Sequence, residues 1–212
     1  IAVAAIIIQL CLGNVYAWSV FKNPLMTAHG WGETATQAAF IICVCTSSLA
    51  CAFGGILVDR KGPRFVATIG GALFGGGTII SGLADQIGSL LLLYASFGLI
   101  AGLGNGFCYL TPIATLIRWF PDKRGLVTGL AVMGTGAGAF FMGKIAPGMI
   151  LSIGVQKTFY FWGTLFLVLM VCAAQLYRNP PEGWLPAGFN PGAASASTRG
   201  SYSFNEALRT PQ

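Results

Sequence analysis

Lys144 is the one charged side chain that falls inside a long apolar run of this chain. A cation in such surroundings is a functional candidate by default, because it can hold an anion where water is scarce. The other concentrated chemistry lies in two short basic loops, each set between helix-length apolar segments. The first is Gly55-Ile56-Leu57-Val58-Asp59-Arg60-Lys61-Gly62-Pro63-Arg64. The second is Arg118-Trp119-Phe120-Pro121-Asp122-Lys123-Arg124-Gly125. Acids are missing from the segment interiors: Asp59, Asp85 and Asp122 all sit near loops. A buried carboxylate relay, common in proton-coupled carriers, is therefore not expected from these residues. His29, the only histidine, lies near Trp31 and Glu33 and reads as a solvated loop residue. No His/Asp/Ser or metal-ligand grouping falls within an apolar run, so no enzyme chemistry, metal or cofactor is expected.

The elements that must position these groups are membrane helices. The 212 residues are 55% hydrophobic and 8% charged, whereas soluble domains carry about 25% charged residues. Thirty glycines suit close helix packing in a bilayer. The net charge of +6 does not signal nucleic acid, because the basic residues cluster at segment ends, as membrane topology demands. Cys11, Cys43, Cys45, Cys51, Cys108 and Cys172 lie within apolar runs and read as small buried hydrophobes, with no disulfide framework.

About 20 apolar residues are needed to cross the hydrocarbon core. Six segments qualify, at roughly 1–22, 36–58, 65–84, 89–117, 126–151 and 158–177. Period-2 alternation is absent, which argues against strands. The exits of even-numbered segments carry Arg60, Lys61, Arg64, Arg118, Lys123, Arg124, Arg178, Arg199 and Arg209. The opposite side has only Lys22 and Lys157. That asymmetry predicts a multi-pass protein of the cell membrane with both ends of this chain cytoplasmic. The two triplets of spans then start on opposite sides, the topology of inverted repeats. Residues 1–178 read as the six-helix bundle. Residues 179–212, with Pro180, Pro181, Pro186 and Pro191 and Ala/Ser/Gly-rich sequence, read as a cytoplasmic linker toward a second bundle. The chain opens on Ile1 in what already looks like a helix interior, which suggests a trimmed piece of a longer protein.

Glycines recur along these spans. Gly70, Gly71, Gly75 and Gly76 line span three, and Gly98/Gly102, Gly125/Gly129 and Gly134/Gly138 are small-xxx-small pairs. They read either as static packing faces or as sliding surfaces. Gly102-x-Gly104-x-Gly106 lies inside a span and lacks the strand–turn–helix context of a phosphate loop.

The first loop resembles the signature between helices two and three of the major facilitator superfamily, with Asp59, Arg60, Gly62 and Arg64 in the expected places. The resemblance implies a cytoplasmic charge latch that favours one access state; the plainer reading is a solvated topogenic loop. Gly62 suits a positive-φ turn and Pro63 the first turn of helix three. A narrower resemblance runs over nearly the whole chain. Tyr16-Ala17-Trp18-Ser19-Val20-Phe21-Lys22-Asn23-Pro24, the Arg118–Gly125 stretch, Arg178-Asn179-Pro180-Pro181-Glu182-Gly183-Trp184 and the Glu206–Gln212 end look like the oxalate/formate antiporter family. It implies exchange of small carboxylates by a twelve-helix carrier whose cavity lies between two six-helix halves. This chain would be the N-terminal half.

That family lines its cavity with aromatic and amide side chains, and the matching positions here are Tyr16, Gln37 and Tyr109. Tyr109 precedes Arg118 by nine residues, about 14 Å along a helix and thus near mid-membrane. A phenol there can donate to a carboxylate. Packing or interfacial anchoring are the rival readings for the two tyrosines, and Trp18 is an anchor or a cavity wall. Val15 departs from the polar amide that the resemblance leads one to expect, and Asn14, one place off, should face elsewhere. Lys144 follows Leu126 by eighteen residues, about 27 Å, so it can also snorkel to the outer interface. The resemblance assigns the main anion-binding cations to the second half. The expected partners are therefore small carboxylate anions, lipid and the C-terminal six-helix half. A lactate/pyruvate–proton symporter and a non-transporting membrane sensor are the alternatives.

Overall fold

The computed structural model describes residues 1–181 and Trp184. The expected linker lies largely outside them, as do Arg199, Arg209 and the Glu206–Gln212 end. The described residues form helices and connecting turns, with no strand among them. Five continuous helical runs are long and apolar enough to cross a membrane. We label them α1 (Ala2–His29), α2 (Glu33–Lys61), α3 (Pro63–Ile87) and α4 (Leu90–Trp119), and divide the fifth, Arg124–Ala174. Gly154, at φ 86° and ψ 165°, is non-helical within that run. It separates α5 (124–153) from α6 (155–174), which makes six helical segments among the described residues. Only glycine enters that backbone region without strain, and Gly154 therefore acts as the turn. The helices reach beyond the expected spans at most ends. At the last one the helix stops at Ala174, three residues short of expectation.

Short turns set the order of the bundle. Gly30 (φ 66°) closes α1, and Gly88 (φ 71°) closes α3. Gly62 (φ 85°) ends α2, and Pro63 begins α3 directly after it. Proline suits that first position because its missing N–H would have no helical partner there. Two helices depart from regular α geometry. In α1, Gly13–Ala17 is 3-10 helix, and in α4, Tyr94–Ala101 is π-helical.

The helices approach one another through glycine. A methyl on Gly138 of α5 would sit 2.0 Å from the Leu10 carbonyl oxygen of α1, and one on Gly13 would sit 2.2 Å from that of Thr135. Gly75 meets Leu167 across α3 and α6 in the same way, and Gly98 and Gly102 meet α2. Gly76, Gly125 and Gly129 have nothing within 4 Å of such a methyl. The expected glycine faces thus divide into packing positions and open ones. Between the packing contacts lie stacked aromatics: Trp18 on Phe97 and Phe21 on Phe159, both at 4.6 Å between ring centroids. Buried polar pairs hold the interior, Ser81 with Ser96 at 3.0 Å and Thr135 donating to Gln9 at 3.2 Å. Large apolar side chains such as Leu49, Phe53, Leu91 and Leu151 remain exposed. That is the inside-out character a lipid solvent permits.

Two sequence expectations need correction. Cys45 and Cys172 are exposed rather than buried, and Cys51 is half-buried; a small apolar thiol is tolerated on a lipid-facing surface. His29 is not a solvated loop residue. It ends α1, pairs through Nε2 with Asp85 Oδ1 of α3 at 2.7 Å and stacks on Trp31 at 4.5 Å.

Candidate functional site

The first turns of the site come from α2 and α4, which run side by side because α4 presents glycine to α2. A methyl on Gly106 would lie 2.4 Å from the Ser47 carbonyl oxygen. At that approach Ser47 Oγ lies 2.7 Å from the Cys43 carbonyl oxygen and 3.0 Å from that of Gly102, placed to donate to either. Cys51 Sγ donates to the Gly106 carbonyl at 3.2 Å. Asn105, one turn before Tyr109 on α4, donates through Nδ2 to Ser47 Oγ at 3.0 Å. The second hydrogen on that amide nitrogen is left for another acceptor.

These groups wall a hollow of about 220 Å³ between α1, α2 and α4. Its lining is Val15 and Tyr16 from α1, Val44, Ser47, Ser48 and Cys51 from α2, and Asn105 and Tyr109 from α4. The structure therefore brings Tyr16 and Tyr109 together from helices far apart in sequence. Tyr16 is 60% exposed, so its phenol is open to the space beside the bundle. The lining offers hydroxyls and an amide, with neither a carboxylate nor a cation. Such a surface can hydrogen-bond an anion but cannot neutralise it, so charge compensation has to come from elsewhere.

Gln37 is not part of this lining. It is half-buried on α2, seven residues before Val44 and on nearly the same helical stripe, hence about 10 Å nearer the Glu33 end of the helix. Trp18 faces the other way: it is 3% exposed and stacked on Phe97 in the core. Two residues turn through about 200° on an α-helix and about 240° on a 3-10 helix, so Tyr16 and Trp18 cannot share a face. Lys144 is exposed on α5 and lines no part of the hollow. Asn14 lines a separate apolar hollow between α1, α5 and α6, together with Leu10, Met142, Trp162 and Phe166. The residues that sequence reasoning missed are Ser47, Ser48, Cys51 and Asn105. Their signal was present as polar or small groups spaced by four along apolar runs, Ser47/Cys51 and Asn105/Tyr109.

At the end of the bundle that carries the basic loops, Arg118 of α4 pairs with Asp59 of α2. Arg118 also donates to Asn179 Oδ1 at 3.4 Å, and Trp119 Nε1 donates to the Arg178 carbonyl at 2.8 Å. The Arg178–Asn179 exit is thereby tied to the end of α4. Arg64 does not join this group. Its Nε and Nη2 donate to Gln175 Oε1 of the α6 exit at 2.8 and 2.5 Å. Arg60 is exposed.

The profile of the Major Facilitator Superfamily matches residues 3–211. The chain belongs to this superfamily. It is therefore a multi-pass membrane protein of a transporter family. Among curated relatives, the oxalate:formate antiporter of Oxalobacter formigenes is 30% identical over 214 residues, covering 100% of this chain and 48% of the relative. The uncharacterized MFS-type transporter YhjX of Escherichia coli (strain K12) is 28% identical over 210 residues, 99% of this chain and 50% of the relative. Monocarboxylate transporter 14 of Mus musculus is 34% identical over 130 residues, 61% of this chain and 25% of the relative. The chain spans about half the length of the first two of these relatives.

Proposed function

We propose that this chain is the N-terminal six-helix half of a carrier that exchanges small carboxylates of the oxalate/formate type by alternating access. The observation that carries the reading is the hollow between α1, α2 and α4, where two phenols, two serines and an amide converge without any carboxylate. A carboxylate presents only acceptor oxygens, and Tyr16, Tyr109 and Asn105 are donors that can meet them. In this reading the compensating cation comes from a second half across the open side of the hollow, and Gln37 contributes nearer the outer mouth. Trp18 acts in packing, and Lys144 anchors α5 at the outer interface. The similarity to the oxalate:formate antiporter supports this substrate class.

The latch in this proposal is the Asp59–Arg118 pair, which ties α2 to α4 at the cytoplasmic end. Gly62 supplies the tight reversal, Arg60 remains available to a partner across the interface, and Arg64 braces α3 against the α6 exit. The charge asymmetry of the sequence supports a cytoplasmic side for both ends of the chain in this reading. A proton-coupled monocarboxylate carrier is the second reading, favoured by the similarity to monocarboxylate transporter 14. Counterflow with the full-length protein in proteoliposomes separates the two. Labelled oxalate entry that requires internal formate or oxalate at matched pH supports exchange. Lactate or pyruvate uptake driven by a proton gradient alone, with no counterflow, supports symport and rejects the exchange reading.

A further inference from the structure

A second concave surface lies where the end of α2 and the start of α3 meet the exit of α6, and it shares no lining residue with the polar hollow. It has a volume of about 410 Å³ and is lined by Lys61, Arg64, Phe65, Thr68, Ile69 and Gln175. Its cations are held by neutral groups. Arg64 gives two N–H groups to Gln175 Oε1, and Gln175 Nε2 in turn donates to Thr68 Oγ1 and to the Val171 carbonyl, both at 3.1 Å. A guanidinium has five N–H donors, so three have no partner among the described residues. Lys61 Nζ lies 5.6 Å from the centre of the Phe65 ring. Neither cation pairs with a carboxylate among the described residues, and Asp59, the nearest acid in sequence, is engaged by Arg118. Among the described residues the cleft thus carries two positive charges that no carboxylate pairs, one of them in a fixed orientation.

Its apolar side points to the occupant. Phe65 is 45% exposed and Ile69 is half-buried one turn deeper into the span. The cations flank the α2–α3 turn, Lys61 ending α2 and Arg64 in the first turn of α3, where helices meet the headgroup layer, and the apolar pair continues toward the hydrocarbon. A soluble anion would use the charges and leave Phe65 and Ile69 without purpose. We infer that this cleft seats the phosphate of an anionic phospholipid, with Arg64 and Lys61 on the phosphate oxygens and an acyl chain running along Phe65 and Ile69. Arg64 suits the role because a guanidinium meets phosphate oxygens in pairs. Gln175 suits it as well, since it orients Arg64 without cancelling its charge. Headgroup phosphates occur in both leaflets, so the inference is independent of the transported substrate and of sidedness.

The test is lipid retention by the full-length protein, measured by native mass spectrometry. Phosphatidylglycerol and phosphatidylcholine with matched acyl chains are titrated separately. The wild type is expected to retain one phosphatidylglycerol in preference to phosphatidylcholine. A basic residue near a membrane surface contributes about 1 kcal/mol toward anionic lipid. Lys61→Gln and Arg64→Gln should therefore each weaken phosphatidylglycerol retention about fivefold, and the double variant about thirtyfold. Phosphatidylcholine binding should not change. Gln175→Glu gives a second route that keeps the cleft filled: it hands Arg64 a carboxylate and should weaken phosphatidylglycerol about fivefold. Equal retention of the two lipids by the wild type would overturn the inference. So would unchanged phosphatidylglycerol retention in both the double variant and Gln175→Glu. Displacement of phosphatidylglycerol by millimolar inorganic phosphate would show a soluble-anion site instead and would also overturn it.

Discussion

The sharpest prediction concerns the two phenols of the hollow. Tyr16 and Tyr109 line one space of about 220 Å³, and neither hydroxyl has a protein hydrogen-bond partner among the described residues. Tyr109→Phe and Tyr16→Phe therefore remove a donor, keep the ring and strand no protein group. A hydrogen bond to a charged partner contributes about 1.5–3 kcal/mol. Each substitution should thus raise the half-saturation concentration for the transported carboxylate about tenfold to about a hundredfold. If both phenols grip the same anion, the double variant should depart from additivity, because groups that share one partner couple by about 0.5–3 kcal/mol. The assay is counterflow in proteoliposomes over a range of external carboxylate, with reconstituted protein quantified in each preparation. Trp18→Phe is the control. Its ring is buried against Phe97, so it should lower thermal stability and shift the half-saturation concentration by less than about twofold. Wild-type half-saturation in both tyrosine variants, at normal incorporation, would refute the placement of the anion in this hollow.

The other predictions follow from separate parts of the bundle. Asp59→Asn weakens an exposed pair with Arg118 and should change the exchange rate by up to about fivefold at an unchanged half-saturation concentration; stopped-flow counterflow measures this. Gly138→Ala places a methyl 2.0 Å from the Leu10 carbonyl oxygen and should destabilise the bundle by about 1–3 kcal/mol, read as a lower melting temperature in detergent. Gly129→Ala, with nothing within 4 Å, should leave that temperature unchanged or raise it slightly. Lys144→Gln should leave carboxylate affinity within about twofold, because the lysine lies outside the hollow; a tenfold loss would return it to the site.

The fold was legible because its causes are local. Long apolar runs, glycines at the turns and Pro63 after Gly62 are each visible in the chain itself. The break between the fifth and sixth spans was expected between 151 and 158, and at Gly154 one backbone angle, rather than a loop of several residues, makes it. The site was only partly legible. Tyr16 and Tyr109 came from a resemblance, and the structure explains their meeting through Gly106, which lets α2 and α4 touch. Ser47 and Asn105 look like ordinary small polar residues until that contact is known, since their bond spans 58 positions. Trp18 was read as an anchor or a cavity wall, and its packing on Phe97, on the face away from Tyr16, shows only with the fold. Asp59 was recognised, but its partner Arg118 lies 59 residues away, and no local pattern announces the pair.

The 3-10 turns at Gly13–Ala17 give α1 a mechanical property. Five residues wound at three per turn rise about 10 Å, against about 7.5 Å for an α-helix, and twist about 100° further. The Trp18–His29 part of α1 is clasped to α3 by His29 and Asp85, while the part before it is packed on α5 at Gly13 and Gly138. Tyr16 rides on the wound segment between those two anchors. Relaxing these five residues to regular α-helix would shorten the rod by about 2.5 Å and swing the phenol around its axis. Winding and unwinding of this short segment would thus be felt first at the Tyr16 hydroxyl, which lines the hollow between the two packed parts of α1.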